Sequence, residues 1–274
     1  MSKKTVLLAI LDGFGKGKKD FSDAIYNANT PNLDSVFKNN PFTYLDASGL
    51  AVGLPENQMG NSEVGHMNMG AGRVVYQDLT YINKCIDDGS FFENPELLRI
   101  LNHVESKGLN LHLMGLLSDG GVHSHINHLF AILKLSQKYK IKKIYIHAWL
   151  DGRDTSPKSA LEYIKSLQNY ISNFDNVELA TVSGRYYAMD RDKNFDRTQL
   201  AYDAIVNSTG QKISKNIENI ITENYENNIT DEFIKPVIFP NYPGMNPGDA
   251  AICFNYRPDR ARQITRMIAD KNLF

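Results

Sequence analysis

Leu109-Asn110-Leu111-His112-Leu113-Met114-Gly115-Leu116-Leu117 runs directly into Ser118-Asp119-Gly120-Gly121-Val122-His123-Ser124-His125, and across residues 126–138 apolar side chains recur at helical spacing. A nearly continuous apolar run suits a strand buried on both faces. The polar, glycine-bearing loop and the helix after it complete the strand–loop–helix unit of a parallel sheet. The same succession recurs to either side. Residues 5–11, 144–148, 177–183 and 251–254 read as further strands, and residues 94–104, 157–171, 195–206 and 258–268 as helices. Pro157 and Pro258 are expected at first helical positions, where a missing N–H costs nothing. The pattern predicts an α/β fold with a largely parallel sheet and crossover helices.

The 274 residues suffice for one large domain or two smaller ones. Near residues 74–79 the glycine-rich Gly70-Ala71-Gly72 stretch gives way to new strand-and-helix alternation, so a boundary is placed between 1–76 and 77–274. Pro236, Pro240, Pro243 and Pro247, with Gly244 and Gly248, mark an irregular connection, and no fixed-period repeat is visible. Lys and Arg total 30 against 31 Asp and Glu, a net charge of -1, which gives no basic excess for nucleic acid or an anionic membrane. The expected partner is a small molecule. Cys85 and Cys253 lack CxxC spacing and fit a reducing compartment. The apolar run 5–11 is ended by Asp12 without a cleavage-site pattern, and no run approaches the roughly 20 residues of a membrane span. The expected location is cytoplasmic.

In open parallel sheets ligands gather at the carboxyl ends of strands. Each predicted strand here is followed by ionisable residues: Asp12-Gly13-Phe14-Gly15, residues 118–125, Asp151-Gly152-Arg153-Asp154, Gly184-Arg185 with Asp190-Arg191-Asp192, and Arg257-Pro258-Asp259-Arg260. Arg153, Arg185, Arg191, Arg257 and Arg260 recur in these loops, and their planar forks suit a carboxylate or phosphate. A purely structural set of Arg–Asp pairs, using Asp154, Asp190, Asp192 and Asp259, is the competing explanation. Asp12 reads as a metal ligand or a helix N-cap. Ser62, in Gly60-Asn61-Ser62-Glu63-Val64-Gly65, reads as a residue opening a helix beside an anion, or as a plain N-cap. Its spacing is not that of a nucleophile elbow, so activation by a divalent cation is expected, and Asp12 could share that cation. His123, His125 and His128 have spacing open to a zinc site, against phosphate contact by His123 and structural roles for the other two.

Six segments in this order resemble cofactor-independent phosphoglycerate mutase, a family of the alkaline phosphatase superfamily: residues 11–15, 60–66, 117–125, 151–155, 183–192 and 254–260. The resemblance implies an incomplete alkaline-phosphatase-like domain over 1–76, followed by an inserted α/β transferase domain over 77–274. It also implies interconversion of 3-phosphoglycerate and 2-phosphoglycerate, a step of glycolysis and gluconeogenesis, through a phosphoserine at Ser62 and without 2,3-bisphosphoglycerate. By matching motif, Asp12 and Ser62 hold one of two Mn²⁺ or Mg²⁺ ions of the complete enzyme, expected to be a monomer. His123, Arg153, Asp154, Arg185, Arg191, Arg257 and Arg260 hold substrate, and Asp154 accepts the proton of the glycerate hydroxyl. Family members continue past this length with further Asp and His metal ligands that these 274 residues lack. The chain alone is therefore expected not to turn over, and the 1–76 segment to be short of strands for its sheet. A non-catalytic binder of small phosphorylated acids, or another metal-dependent phosphomutase or phosphatase, is the alternative.

Overall fold

A computed structural model describes residues 5–214 and 216–270. Its sheet comprises β1 (Leu111–Leu116), β2 (Ile144–Leu150), β3 (Val177–Gly184), β4 (Gln211–Lys212), β5 (Val237–Ile238) and β6 (Ala250–Cys253), ordered β4-β5-β3-β2-β1-β6. Neighbours are parallel except β3 with β5. The four longer strands match the apolar runs. The two-residue strands β4 and β5 are too short to leave a pattern.

Alternation along β1 explains the layers, because successive side chains of a strand point to opposite faces. Leu111 and Leu113 join a buried cluster with Leu129, Leu133, Ile164 and Leu167, from helices Ile126–Ser136 and Ala160–Ile171. Met114 and Leu116 turn the other way, toward Trp149, Ala201, Ile205 and Ile264, the last three from helices Phe195–Val206 and Arg262–Ala269. Each fully buried leucine contributes about 1.5–3 kcal/mol. Helices on both faces leave only the sheet's edges and strand ends for chemistry.

Neither Pro157 nor Pro258 opens its helix. The Asp231 carboxylate accepts from the N–H groups of Ser159 and Ala160, each at 2.9 Å, so the helix starts at Ala160 under a cap supplied from far along the chain. The Pro157 carbonyl accepts from the Asp231 amide at 3.0 Å. Pro258 lies in the turn before Arg262–Ala269, its carbonyl accepting from the Arg262 amide. The prolines at helix starts are instead Pro31 and Pro95.

The chain divides into two compact units between Thr80 and Tyr81, inside helix Asp78–Asp88. In the N-terminal unit the expected strand at residues 5–11 does not form. Val6 and Leu7 are 89% and 87% exposed, and among its described residues this unit has no strand. A lone extended segment has no ladder to satisfy its amides and no face to bury, so hydropathy alone does not make it a strand. The unit's buried apolar cluster is Val52, Leu54 and Val64.

Asp231 is buried and also accepts the Tyr225 hydroxyl. Asp231→Ala should lower the unfolding free energy by about 3 kcal/mol, combining a lost cap with a partly buried hydroxyl left unpaired. Denaturant titration checks this, and a loss under about 1 kcal/mol would contradict it.

Candidate active site

Because β1, β2, β3 and β6 run parallel, the loops leaving them share one edge of the sheet. Asp151, buried just past β2, organises that edge. Its carboxylate accepts from the Ser118 hydroxyl after β1 at 2.7 Å, from the amides of Arg153 and Asp154 at 3.2 and 3.0 Å, and from Arg185 Nη1 at 2.7 Å. Arg185, directly after β3 and 3% exposed, uses the same nitrogen to reach Asp154 Oδ2 at 2.6 Å. A buried cation between two carboxylates is stable only when so paired. Gly184, at the end of β3, permits the close approach of the Asp231–Glu232 backbone, since a Cβ there would stand 2.2 Å from the Glu232 carbonyl oxygen.

His123, after β1, is buried with Nε2 3.9 Å from Asp154 Oδ2 and Nδ1 3.6 Å from Asp259 Oδ1. Burial first, then the Arg185 charge, pushes its pKa below the ordinary histidine value, which leaves the ring neutral at pH 7. Arg191 Nη1 and Arg257 Nε reach Asp259 at 2.7 and 3.0 Å. Arg153 lies 3.6 Å from Glu232, and Arg260 donates to the Met189 carbonyl at 3.3 Å. Burial, then the charges of Arg191, Arg185 and Arg153, lowers the Arg260 pKa. The part of that lowering that follows burial comes from neighbouring cations, an arrangement that an incoming anion relieves.

The expected substrate-binding residues His123, Arg153, Asp154, Arg185, Arg191, Arg257 and Arg260 thus share one strand edge. Three of the aspartates considered as structural partners do brace it: Asp154 and Asp259 as above, and Asp190 by accepting from Asn194, Asp192 and Gln263. Sequence reasoning missed Asp151 as the organising group, along with Ser118, Glu232 and Gln263. Asp151 stood in a motif already singled out, and only its burial separates it from Asp154.

His125 and His128 take structural positions. His125 Nδ1 accepts from the Asn127 amide, and His128 Nε2 lies 2.9 Å from Asn83 Oδ1. With His123 facing Asp154 and Asp259, the three histidines do not form the zinc site left open by their spacing.

Within the N-terminal unit, Ser62 is the first residue of helix Ser62–Ala71, but the cap is Asn61, whose side chain accepts from the Val64 amide at 3.0 Å. Gly60 is required, because a Cβ there would lie 1.7 Å from the Ala47 carbonyl oxygen. His66 Nδ1 sits 3.2 Å from Ser62 Oγ and 2.8 Å from the Ser62 carbonyl oxygen. A carbonyl only accepts, so the shorter contact assigns a proton to Nδ1, and that nitrogen cannot also take the hydroxyl proton. In this arrangement His66 Nδ1 is not placed to accept the Ser62 hydroxyl proton. Asp12 is not an N-cap either. It occupies the second position of a turn closed by the Phe14 amide on the Leu11 carbonyl, with Gly13 at φ +76°.

Among the described residues no three His, Cys, Asp or Glu side chains are grouped to hold a metal ion. Asp12 and Ser62 offer oxygen, the donor type hard cations prefer, but two donors fall well short of an octahedral shell. The donor set of this chain does not fit a complete cation site.

Burial would push the Asp151 carboxyl up, yet Ser118, the Asp154 amide and Arg185 outweigh it and hold it below the ordinary carboxylate value. A depressed folded pKa gives stability that is present above the unfolded value, about 3.9, and is lost as pH falls through the folded value. Asp151→Asn should therefore lower stability at neutral pH by a margin that narrows as the pH drops below about 4. Denaturant titrations over that range check it, and a margin independent of pH would contradict it.

Residues 82–274 match the family model for the N-terminus of BPG-independent PGAM. The chain is 53% identical over 275 residues to a 2,3-bisphosphoglycerate-independent phosphoglycerate mutase of Clostridium botulinum, covering 99% of this chain and 54% of the relative. It is 51% identical over 272 residues to one of Staphylococcus epidermidis, with the same coverage. A crystal structure of Leishmania mexicana phosphoglycerate mutase at low cobalt concentration superposes with a TM-score of 0.72 and 34% identity, over 97% of this chain and 51% of that one. The chain spans about half the length of the curated relatives it matches. With residues 82–274 under the family model and half of all positions shared with these relatives, the chain belongs to the 2,3-bisphosphoglycerate-independent phosphoglycerate mutase family.

Proposed function

We propose that this chain contributes the phosphoryl-accepting serine and the substrate-holding residues of a longer enzyme that interconverts 3-phosphoglycerate and 2-phosphoglycerate. The observation that carries this reading is the gathering of Arg153, Arg185, Arg191, Arg257 and Arg260 about Asp151, Asp154 and Asp259 at one strand edge. The family supplies the substrate, because its name specifies phosphoglycerate. That molecule carries a phosphate and a carboxylate, and charge-assisted forks suit both.

In this reading Arg153, Arg185, Arg191, Arg257 and Arg260 bind the two anionic ends, and Arg185 also fixes Asp154. Ser62 gives up its hydroxyl proton as its oxygen attacks phosphorus, the bond from phosphorus to the C3 oxygen breaks, and the C3 oxygen takes up one proton in exchange. After the glycerate reorients, Asp154 takes the proton of the C2 hydroxyl. The C2 oxygen attacks phosphorus, the bond from phosphorus to Ser62 breaks, and Asp154 gives up the proton it took as the Ser62 oxygen regains one. His123, neutral and adjacent to Asp154, donates to the moving anion. Transfer competes with hydrolysis, so the reaction needs a site closed to water.

The reading requires Mn²⁺ or Mg²⁺, two ions in the complete enzyme, with Asp12 and Ser62 contributing to one, and no 2,3-bisphosphoglycerate. Because the donors here do not complete a cation site, the isolated 274 residues are proposed to lack turnover. The complete protein is proposed to be monomeric and cytoplasmic, and the two free cysteines support a reducing location. No helix among the described residues is long and apolar enough to cross a membrane.

Mass spectrometry of the full-length protein quenched with 3-phosphoglycerate should find a phosphorylated peptide containing Ser62, and Ser62→Ala should reduce turnover by at least about a thousandfold. A phosphoryl group carried only elsewhere would end this mechanism. Manganese-dependent formation of 2-phosphoglycerate by the isolated chain would overturn the view that further donors are needed.

A further inference from the structure

Three groups assigned to substrate meet on one carboxylate that has been given no function. Asp259 Oδ2 accepts from Arg191 Nη1 at 2.7 Å, and its Oδ1 lies 3.0 Å from Arg257 Nε and 3.6 Å from His123 Nδ1. These partners come from the loops after β3, β6 and β1 respectively. Oδ1 and His123 Nδ1 are both buried without a hydrogen-bond partner, because the Arg257 contact is close but misaligned. The carboxylate therefore gathers the three groups while leaving part of their hydrogen-bonding capacity unused.

We propose that Asp259 is a positioning residue that stands in for the substrate anion. It holds Arg191 and Arg257 converged before substrate arrives and yields their free N–H groups to the bound phosphate or carboxylate. Both arginines are close to half exposed, at 44% and 48%. Unbraced, each would carry rotamer freedom to be lost on binding. Their exposure also makes the two ion pairs weak sources of fold stability. The loops are joined independently of Asp259, since Gln263 donates to Asp190 and Thr198 and accepts from the Lys193 amide. The proposal rests on the mutase reading for the identity of the ligand.

Asp259→Asn separates alignment from charge by sign. Removing a negative charge beside an anion site favours anion binding by Coulomb's law. A loss of affinity therefore reports lost alignment. Binding of 3-phosphoglycerate is measured by calorimetry on full-length protein carrying Ser62→Ala, which blocks transfer, with and without Asp259→Asn. The expected result is a Kd raised about tenfold or more, with the melting temperature nearly unchanged, and in the Ser62 protein a loss of kcat/KM carried mainly by KM. Asp259→Glu, which keeps the carboxylate, should recover part of the affinity. An unchanged or tighter Kd, or a loss matched by a falling folded fraction, would overturn the proposal. Binding by the Ser62→Ala protein without turnover by the Ser62 protein would defeat the mutase reading while leaving the comparison of dissociation constants intact. Absence of 3-phosphoglycerate binding altogether would defeat both.

Discussion

Arg185 sits almost wholly out of water between Asp151 and Asp154, and a guanidinium in that position is tolerable only because two carboxylates share its charge. Asp151 in turn takes the Ser118 hydroxyl and the amides of Arg153 and Asp154, so one buried carboxylate ties together the ends of β1, β2 and β3. Asp154 inherits its orientation from that pairing, and His123 its neutrality from burial and from the Arg185 charge. The remaining arginines then crowd at the same edge with Asp259 and Glu232 as partial counter-charges. Such an edge is preorganised toward a small polyanion, because its cations are already gathered before any ligand compensates them.

The two units divide the chemistry unequally. The C-terminal unit has a six-stranded sheet covered on both faces and can hold its charged edge rigidly. The N-terminal unit carries Ser62 at a helix start and Asp12 in a turn, on a buried apolar cluster of three residues. Ser62, the proposed nucleophile, has its neighbouring imidazole engaged with a backbone carbonyl, so that proposal calls for activation from elsewhere.

Much of the C-terminal unit was legible because its signals are local. Apolar runs of strand length and helical periodicity located β1, β2, β3 and β6 and the helices packed on them. Charged residues after those runs located the site edge, because strand polarity alone brings parallel strand ends together. What escaped was non-local. The start of helix Ala160–Ile171 depends on Asp231, whose cap comes from some seventy residues away. Asp151 and Asp154 look alike in sequence and differ in the burial that only the sheet confers. Residues 5–11 have strand composition, yet among the described residues of their unit no partner strand is present, and a strand is a property of a pair.

The central claim is that the arginine-lined strand edge receives the phosphoglycerate. The most direct measurement is a crystal structure of the full-length protein carrying Ser62→Ala with 3-phosphoglycerate bound. The account predicts ligand oxygens within hydrogen-bonding distance of Arg153, Arg191, Arg257 and Arg260, a glycerate hydroxyl beside Asp154, and Arg185 still seated between Asp151 and Asp154. Ligand bound elsewhere with this edge empty, or Arg185 withdrawn from its two carboxylates to grip the substrate, would contradict it.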